Sequence, residues 1–190
     1  MGLGRLEAFS DGVIAVIVTI MVLEIKAPES GDLGSLLKLK LAFLNYLLSF
    51  VVVAILWLNH RAMLALVHHV DAGVLWANNA LLFWMSLIPF ATAYMGQTKA
   101  APLAVAIYGA TMGITAGAFS LLRFRVAAQH KHEEHLARQH KRLHLKDSFG
   151  IVLYAISIPL AFVSVRASFC IFILIPTLYF LPERILEGHE

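Results

Sequence analysis

A single cysteine, Cys170, stands in a chain of 190 residues. That excludes a disulfide framework and a cysteine-based metal site, and leaves Cys170 as a small apolar residue in a helix. Charge is also scarce: Asp, Glu, Lys and Arg make up 14% of the chain, against about a quarter in soluble domains. Apolar residues reach 59% and the mean hydropathy is +0.77. That is more apolar surface than one aqueous core of this size can hide. Asp11 interrupts the start of the first apolar stretch and no small-residue cleavage site follows it, so it does not read as a signal peptide. Internal repeats and a soluble domain are lacking. Ionisable groups are almost missing from the apolar interiors, which argues against an intramembrane enzyme. Outside one basic loop, no basic stripe with interleaved aromatics is present to meet nucleic acid.

What the chain does have is apolar runs of bilayer length. A span needs roughly 20 mostly apolar residues, and six such runs fall near 8–26, 41–60, 73–95, 102–125, 147–164 and 167–182. The expected fold is an all-α membrane protein, a single six-helix domain over 1–190. Turn chemistry marks the gaps: Pro28 with Gly31 and Gly34, His68–Asp71, Gly96–Pro102, and Ser164–Arg166. Pro159 and Pro176 fall inside the last two runs, where membrane helices tolerate proline with a kink. Ten of the fifteen Lys and Arg residues fall on the side holding both termini, including the seven between Arg123 and Lys146. The positive-inside rule makes that side cytoplasmic. The net charge of +3 is then a topology signal.

The segment Arg5 to Glu24 carries the functional information. Arg5, Ser10 and Asp11 open it, and an apolar run from Val13 to Leu23 follows with one hydroxyl, Thr19. A carboxylate at the lip of a spanning helix is costly unless it faces protein or water, so Asp11 marks a functional site. A simple helix-capping role competes with that reading, and both can hold together. At 3.6 residues per turn, Gly12, Val16, Thr19 or Ile20, and Leu23 share one stripe. Six short helices leave little room for an internal channel, so a conduit would lie on a symmetry axis between copies. Stacked rings of this stripe could gate by dewetting and replace part of an ion's hydration shell. The alternative is a lipid-facing or bundle-facing helix in which Thr19 bonds a carbonyl one turn back.

Arg5-x-x-x-Phe9-Ser10-Asp11, followed by Gly12 and an aliphatic run closing in Leu23-Glu24, resembles the first helix of the transmembrane protein 175 family of potassium channels. Trp57-x-x-His60, Asn78 and Ile88-Pro89-Phe90 support the resemblance. It is to the prokaryotic form, a single six-helix unit; animals carry two fused units in endosomes and lysosomes. The resemblance implies a potassium-selective cation channel of the cell membrane, of weak to moderate selectivity. It implies a homotetramer lined by the first helices, by analogy with the two-repeat proteins acting as dimers. The Thr-Val-Gly-Tyr-Gly filter of ordinary potassium channels is absent, as expected of a family whose selectivity is attributed to first-helix side chains. By resemblance, Val16 holds the constriction position, where the family usually has Ile or Leu, and Thr19 and Leu23 hold the hydroxyl and upper aliphatic positions. No cofactor is implied beyond permeant potassium and other monovalent cations.

Arg5, Phe9, Ser10 and Asp11 read as helix-anchoring residues, with His60 and Asn78 at the same cytoplasmic level as polar partners. Glu24 fits either a negative outer vestibule or a solvated helix end. Trp76 suits the interfacial aromatic belt. Residues 126–146 form a cytoplasmic basic loop or helix extension with five histidines: His130, His132, His135, His140 and His144. His132-Glu133-Glu134-His135 is one residue short of the zinc-protease spacing. On a helix the five scatter round the circumference, so the stretch reads as a solvated face touching anionic headgroups and not as a metal site. A small proton-conducting protein or secondary transporter using Asp11 and His60 is the competing function. It would call for paired broken helices around a midplane site.

Overall fold

The computed structural model describes residues 2–28, 30–130 and 134–180, with 134–144 and 180 described by backbone alone. The side chains of His132, His135, His140 and His144, and the segment 181–190 with Arg184, lie outside the described residues. Among the described residues eight α-helices run in order: α1 (Leu3–Leu23), α2 (Leu33–Lys38), α3 (Lys40–Leu64), α4 (Ala72–Ser86), α5 (Ile88–Gln97), α6 (Pro102–Ala127), α7 (Glu134–Val163) and α8 (Val165–Phe180). No strand occurs among the described residues. Among the described residues five stretches are long and apolar enough to cross a membrane: Leu3–Leu23, Lys40–Leu64, Ala72–Gln97, Pro102–His130 and Leu145–Val163. A further apolar helix, Val165–Tyr179, is shorter.

Local chemistry sets the breaks. Pro89 has no N–H to give the carbonyl one turn back, so the third stretch is cut at Leu87 into α4 and α5. Asp71 caps α4, its carboxylate accepting the Val74 N–H at 2.8 Å, and Asp32 caps α2 through the Ser35 N–H at 2.8 Å. The Ser30 hydroxyl and the Ser35 N–H together hold the Asp32 carboxyl at about 2. Pro102 opens α6 at its first turn. Pro159 and Pro176 sit inside α7 and α8 without ending them.

α1 packs against α3, α4 and α5, and α6 against α4, α5 and α7, with α8 closing on α7 and α3. Gly109 of α6 leaves room for Ser157 and Phe172, since a Cβ there would stand 2.5 Å from the Ser157 hydroxyl. Phe172 then reaches the buried Tyr108 ring at 4.9 Å. Several polar groups inside the bundle are paired across helices. Thr92 of α5 lies 2.8 Å from the Ser49 hydroxyl, which donates to the Tyr108 phenol at 3.2 Å. Arg123 of α6 donates through Nε to Asp147 of α7 at 2.7 Å, both buried.

At the same end of the bundle, the turn Ala128–His130 grips the α3–α4 connection. Gln129 donates to the His69 carbonyl at 2.9 Å and accepts the His68 N–H at 3.1 Å. His130 bonds the Leu66 carbonyl at 2.6 Å.

Removing one partner of a buried ion pair strands the other charge at a cost of about 3–5 kcal/mol, whereas replacing both with apolar residues is often neutral. Asp147→Leu should therefore lower thermal stability in detergent by an amount of that order, and the double replacement with Arg123→Met should recover most of it. Equal losses in the single and double variants would show that the pair does not couple α6 to α7.

Candidate functional site

The two faces of α1 differ in kind. Leu6, Ser10, Ile14, Ile17 and Met21 are buried, spaced three or four apart as one helical face. On the other side Val16 is 55% exposed, Ile20 41% and Leu23 77%, with Gly12 and Thr19 exposed between them. A groove alongside this stripe is lined by Phe9, Gly12, Val16, Ile20, Ser86 and Pro89, so the α4–α5 break forms its far wall. The Thr19 hydroxyl donates to the Val16 carbonyl at 2.9 Å. That bond consumes its proton and leaves the oxygen lone pairs to accept from, or coordinate, whatever faces the stripe.

The buried face is held by a directional relay. His60 of α3 donates through Nε2 to the Asn78 side-chain carbonyl of α4 at 2.7 Å. The Asn78 amide donates to Ser10 at 3.0 Å, and the Ser10 hydroxyl donates to the Leu6 carbonyl at 2.8 Å. Because the Asn78 oxygen can only accept, this arrangement puts the His60 proton on Nε2. All three side chains are buried. One residue on, Asp11 accepts the Trp57 indole N–H at 2.8 Å on a more exposed edge. Trp57 and His60 lie one turn apart on α3, so α3 takes hold of two adjacent positions on α1.

The structure thus brings together Ser10, His60 and Asn78, and pairs Asp11 with a residue that sequence reasoning did not assign to it. Arg5 and Phe9 lie on the exposed face and take no part in the relay, and Arg5 makes no ion pair with Asp11 among the described residues. Asp11 lies six positions after Arg5, which sets them about 120° apart round the helix. The signal for Trp57 was present in Trp57-x-x-His60, since a residue one turn from a relay member shares its face. Trp76, 75% exposed, belongs to neither group. No cluster of three or more metal-ligating side chains converges among the described residues.

Residues 5–89, which contain every member of this arrangement, match the family described as endosomal/lysosomal potassium channel TMEM175. A protein of Chryseobacterium sp. (strain P1-3) named as a potassium channel is 36% identical over 184 residues, covering 97% of this chain and 95% of its own. The chain belongs to the TMEM175 family. A protein of Chamaesiphon minutus, also named as a potassium channel, is 32% identical across 87% of this chain and 87% of its own. The crystal structure of a lysosomal potassium-selective channel TMEM175 homolog from Chamaesiphon minutus matches with a TM-score of 0.82 at 30% identity, covering 94% of this chain and 96% of that one. Family and helices together make this a multi-pass membrane protein.

Asn78→Leu orphans a donor on His60 and an acceptor on Ser10 at once. It should cost about 1–3 kcal/mol for each stranded group. Asp11→Asn still accepts from Trp57 and should cost less. Thermal unfolding in detergent orders the two, and a larger loss for Asp11→Asn would contradict the relay as the main anchor of α1.

Proposed function

We propose that the chain is one subunit of a homotetrameric, potassium-selective cation channel of the cell membrane, with its conduit on the symmetry axis and α1 as the lining helix. The observation that carries this reading is the two-faced α1: one face locked by the relay, the opposite apolar stripe left uncovered by the subunit's own helices. The groove beside that stripe, walled by Ser86 and Pro89, leaves room for a second copy of the chain, and closed cyclic assembly supplies one. The names of the bacterial relatives support potassium as the permeant ion.

In this reading four copies of Val16, Thr19 or Ile20, and Leu23 form stacked rings. Val16 is the lower apolar constriction and Leu23 the upper one, and both can close by dewetting. Thr19 stands between them, its hydroxyl proton held by the Val16 carbonyl and its oxygen lone pairs left to accept or coordinate. Valine is smaller than the Ile or Leu usual in the family, so this lower ring is wider and leakier. Six spans, counting the short α8, place both termini in the cytoplasm together with the basic end of the bundle. The subunit conducts without a bound cofactor and performs no covalent chemistry.

Reconstituted protein recorded in planar bilayers under opposed potassium and sodium gradients should reverse on the potassium side of zero. Absence of current, or reversal indifferent to the two ions, would refute the channel assignment. A stable monomer by mass measurement in mild detergent would refute the axial conduit. Val16→Asn should wet the lower ring and raise ion flux several-fold, each 1.4 kcal/mol removed from the barrier giving about tenfold. Unchanged conductance would place Val16 away from the axis.

A further inference from the structure

A second concave feature lies on the other side of the subunit, between α3, α6, α7 and α8, with no residue of α1, α4 or α5 in its wall. Its floor is apolar and buried, formed by Val52, Met112, Tyr154 and Ile175. Apart from Thr115, whose hydroxyl donates to the Thr111 carbonyl at 2.7 Å, the polar groups gather toward one end. Tyr179 donates its hydroxyl to the Lys146 carbonyl at 3.1 Å, and the Lys146 ammonium lies 4.8 Å from the Tyr179 ring centre. Asp147 also lines this end, but its charge is met by Arg123 at 2.7 Å. Lys146 has no carboxylate partner among the described residues, and half-buried Asn59 at the rim has no hydrogen-bond partner among them. The result is an apolar slot within the spanning helices whose Tyr179 end lies beside the Lys146 ammonium, which among the described residues meets no carboxylate, and whose rim carries an amide that among them makes no hydrogen bond.

We propose that this cleft binds one anionic phospholipid per subunit, with an acyl chain lying between α3 and α8 and the phosphate at Lys146 and Asn59. The apolar floor takes hydrocarbon, which is the solvent surrounding these helices. The headgroup end supplies a positive charge worth about fivefold in affinity for an anionic over a neutral lipid. The site sits at the bundle end where the basic residues collect. That it faces the inner leaflet rests on the orientation proposed above, while the binding itself does not.

Native mass spectrometry of the purified full chain in mild detergent tests this, using dioleoyl phosphatidylglycerol and dioleoyl phosphatidylcholine at equal concentration. The wild type should saturate at one phosphatidylglycerol per subunit, in preference to phosphatidylcholine. Lys146→Gln should cut that preference about fivefold. Ala116→Phe, which fills the slot from α6, should reduce retention of both lipids. Should Ala116→Phe fail to fold, Leu56→Trp at the half-buried rim takes its place. Equal retention of the two lipids by the wild type, unsaturable retention as of annular lipid, or retention unmoved by the substitutions at unchanged melting temperature would each overturn the proposal. Lipid retention is read without current, so failure of the channel assignment and failure of this site are separate results.

Discussion

In hydrocarbon no water is available to satisfy a stranded donor or acceptor, so each polar group inside a spanning bundle must find its partner on the protein. That constraint sets the rotation of α1. Ser10 can meet Asn78 only if the Leu6–Ser10–Ile14–Ile17–Met21 face turns inward. Once it does, helical geometry carries Gly12, Val16, Thr19, Ile20 and Leu23 to the opposite side without any contact of their own. A relay of three hydrogen bonds at one end of the helix thereby decides what faces outward along its whole length. The Asp11–Trp57 bond repeats the same restraint one residue later, from the same face of α3.

The rest of the bundle gives this anchor a rigid frame. His60 is useful only if α3 is itself held, and Asn78 only if α4 is. The Gln129 bonds tie the end of α6 to the loop joining those two helices, and the Asp71 cap fixes where α4 begins. Arg123 and Asp147 join α6 to α7, while Thr92, Ser49 and Tyr108 link α5, α3 and α6 in the interior. Polar contacts at helix ends and apolar packing between them divide the labour: packing sets how closely helices lie, and the directional bonds select one rotation among those that packing allows.

Much of the arrangement could be read from residue order. The apolar runs located the spanning helices, the Ser10-Asp11 end of the first-helix motif located the anchor while its Arg5 and Phe9 did not join it, and the 3.6-residue period drew the stripe from Gly12 to Leu23. His60 and Asn78 were identifiable as partners because the alternation of spans brings their helix ends to one level. The break between α7 and α8 at Ser164 falls in the gap that turn chemistry marked at Ser164–Arg166, and among the described residues Val165–Tyr179 is a shorter apolar helix than the other five stretches. The effect of each proline was less legible. The break at Leu87 follows from Pro89, yet Pro159 and Pro176 do not end their helices, and sequence position does not distinguish these cases.

Which donor meets which acceptor was a tertiary decision. Arg5 and Asp11 look like an ion pair on paper, but about 120° of helix separates them, and Asp11 turns to Trp57, distant in sequence and adjacent in space. Arg123 and Asp147 pair across two helices in the same way. Periodicity, hydropathy and capping are local, so the sequence by itself determined the helices, their order and the two-faced character of α1. The angle at which each helix presents its faces to its neighbours depends on side chains from three or four segments fitting at once. That fit decided that Ser10, Asn78 and His60 form one chain of hydrogen bonds, and that Val16, Thr19 and Leu23 remain on the uncovered side.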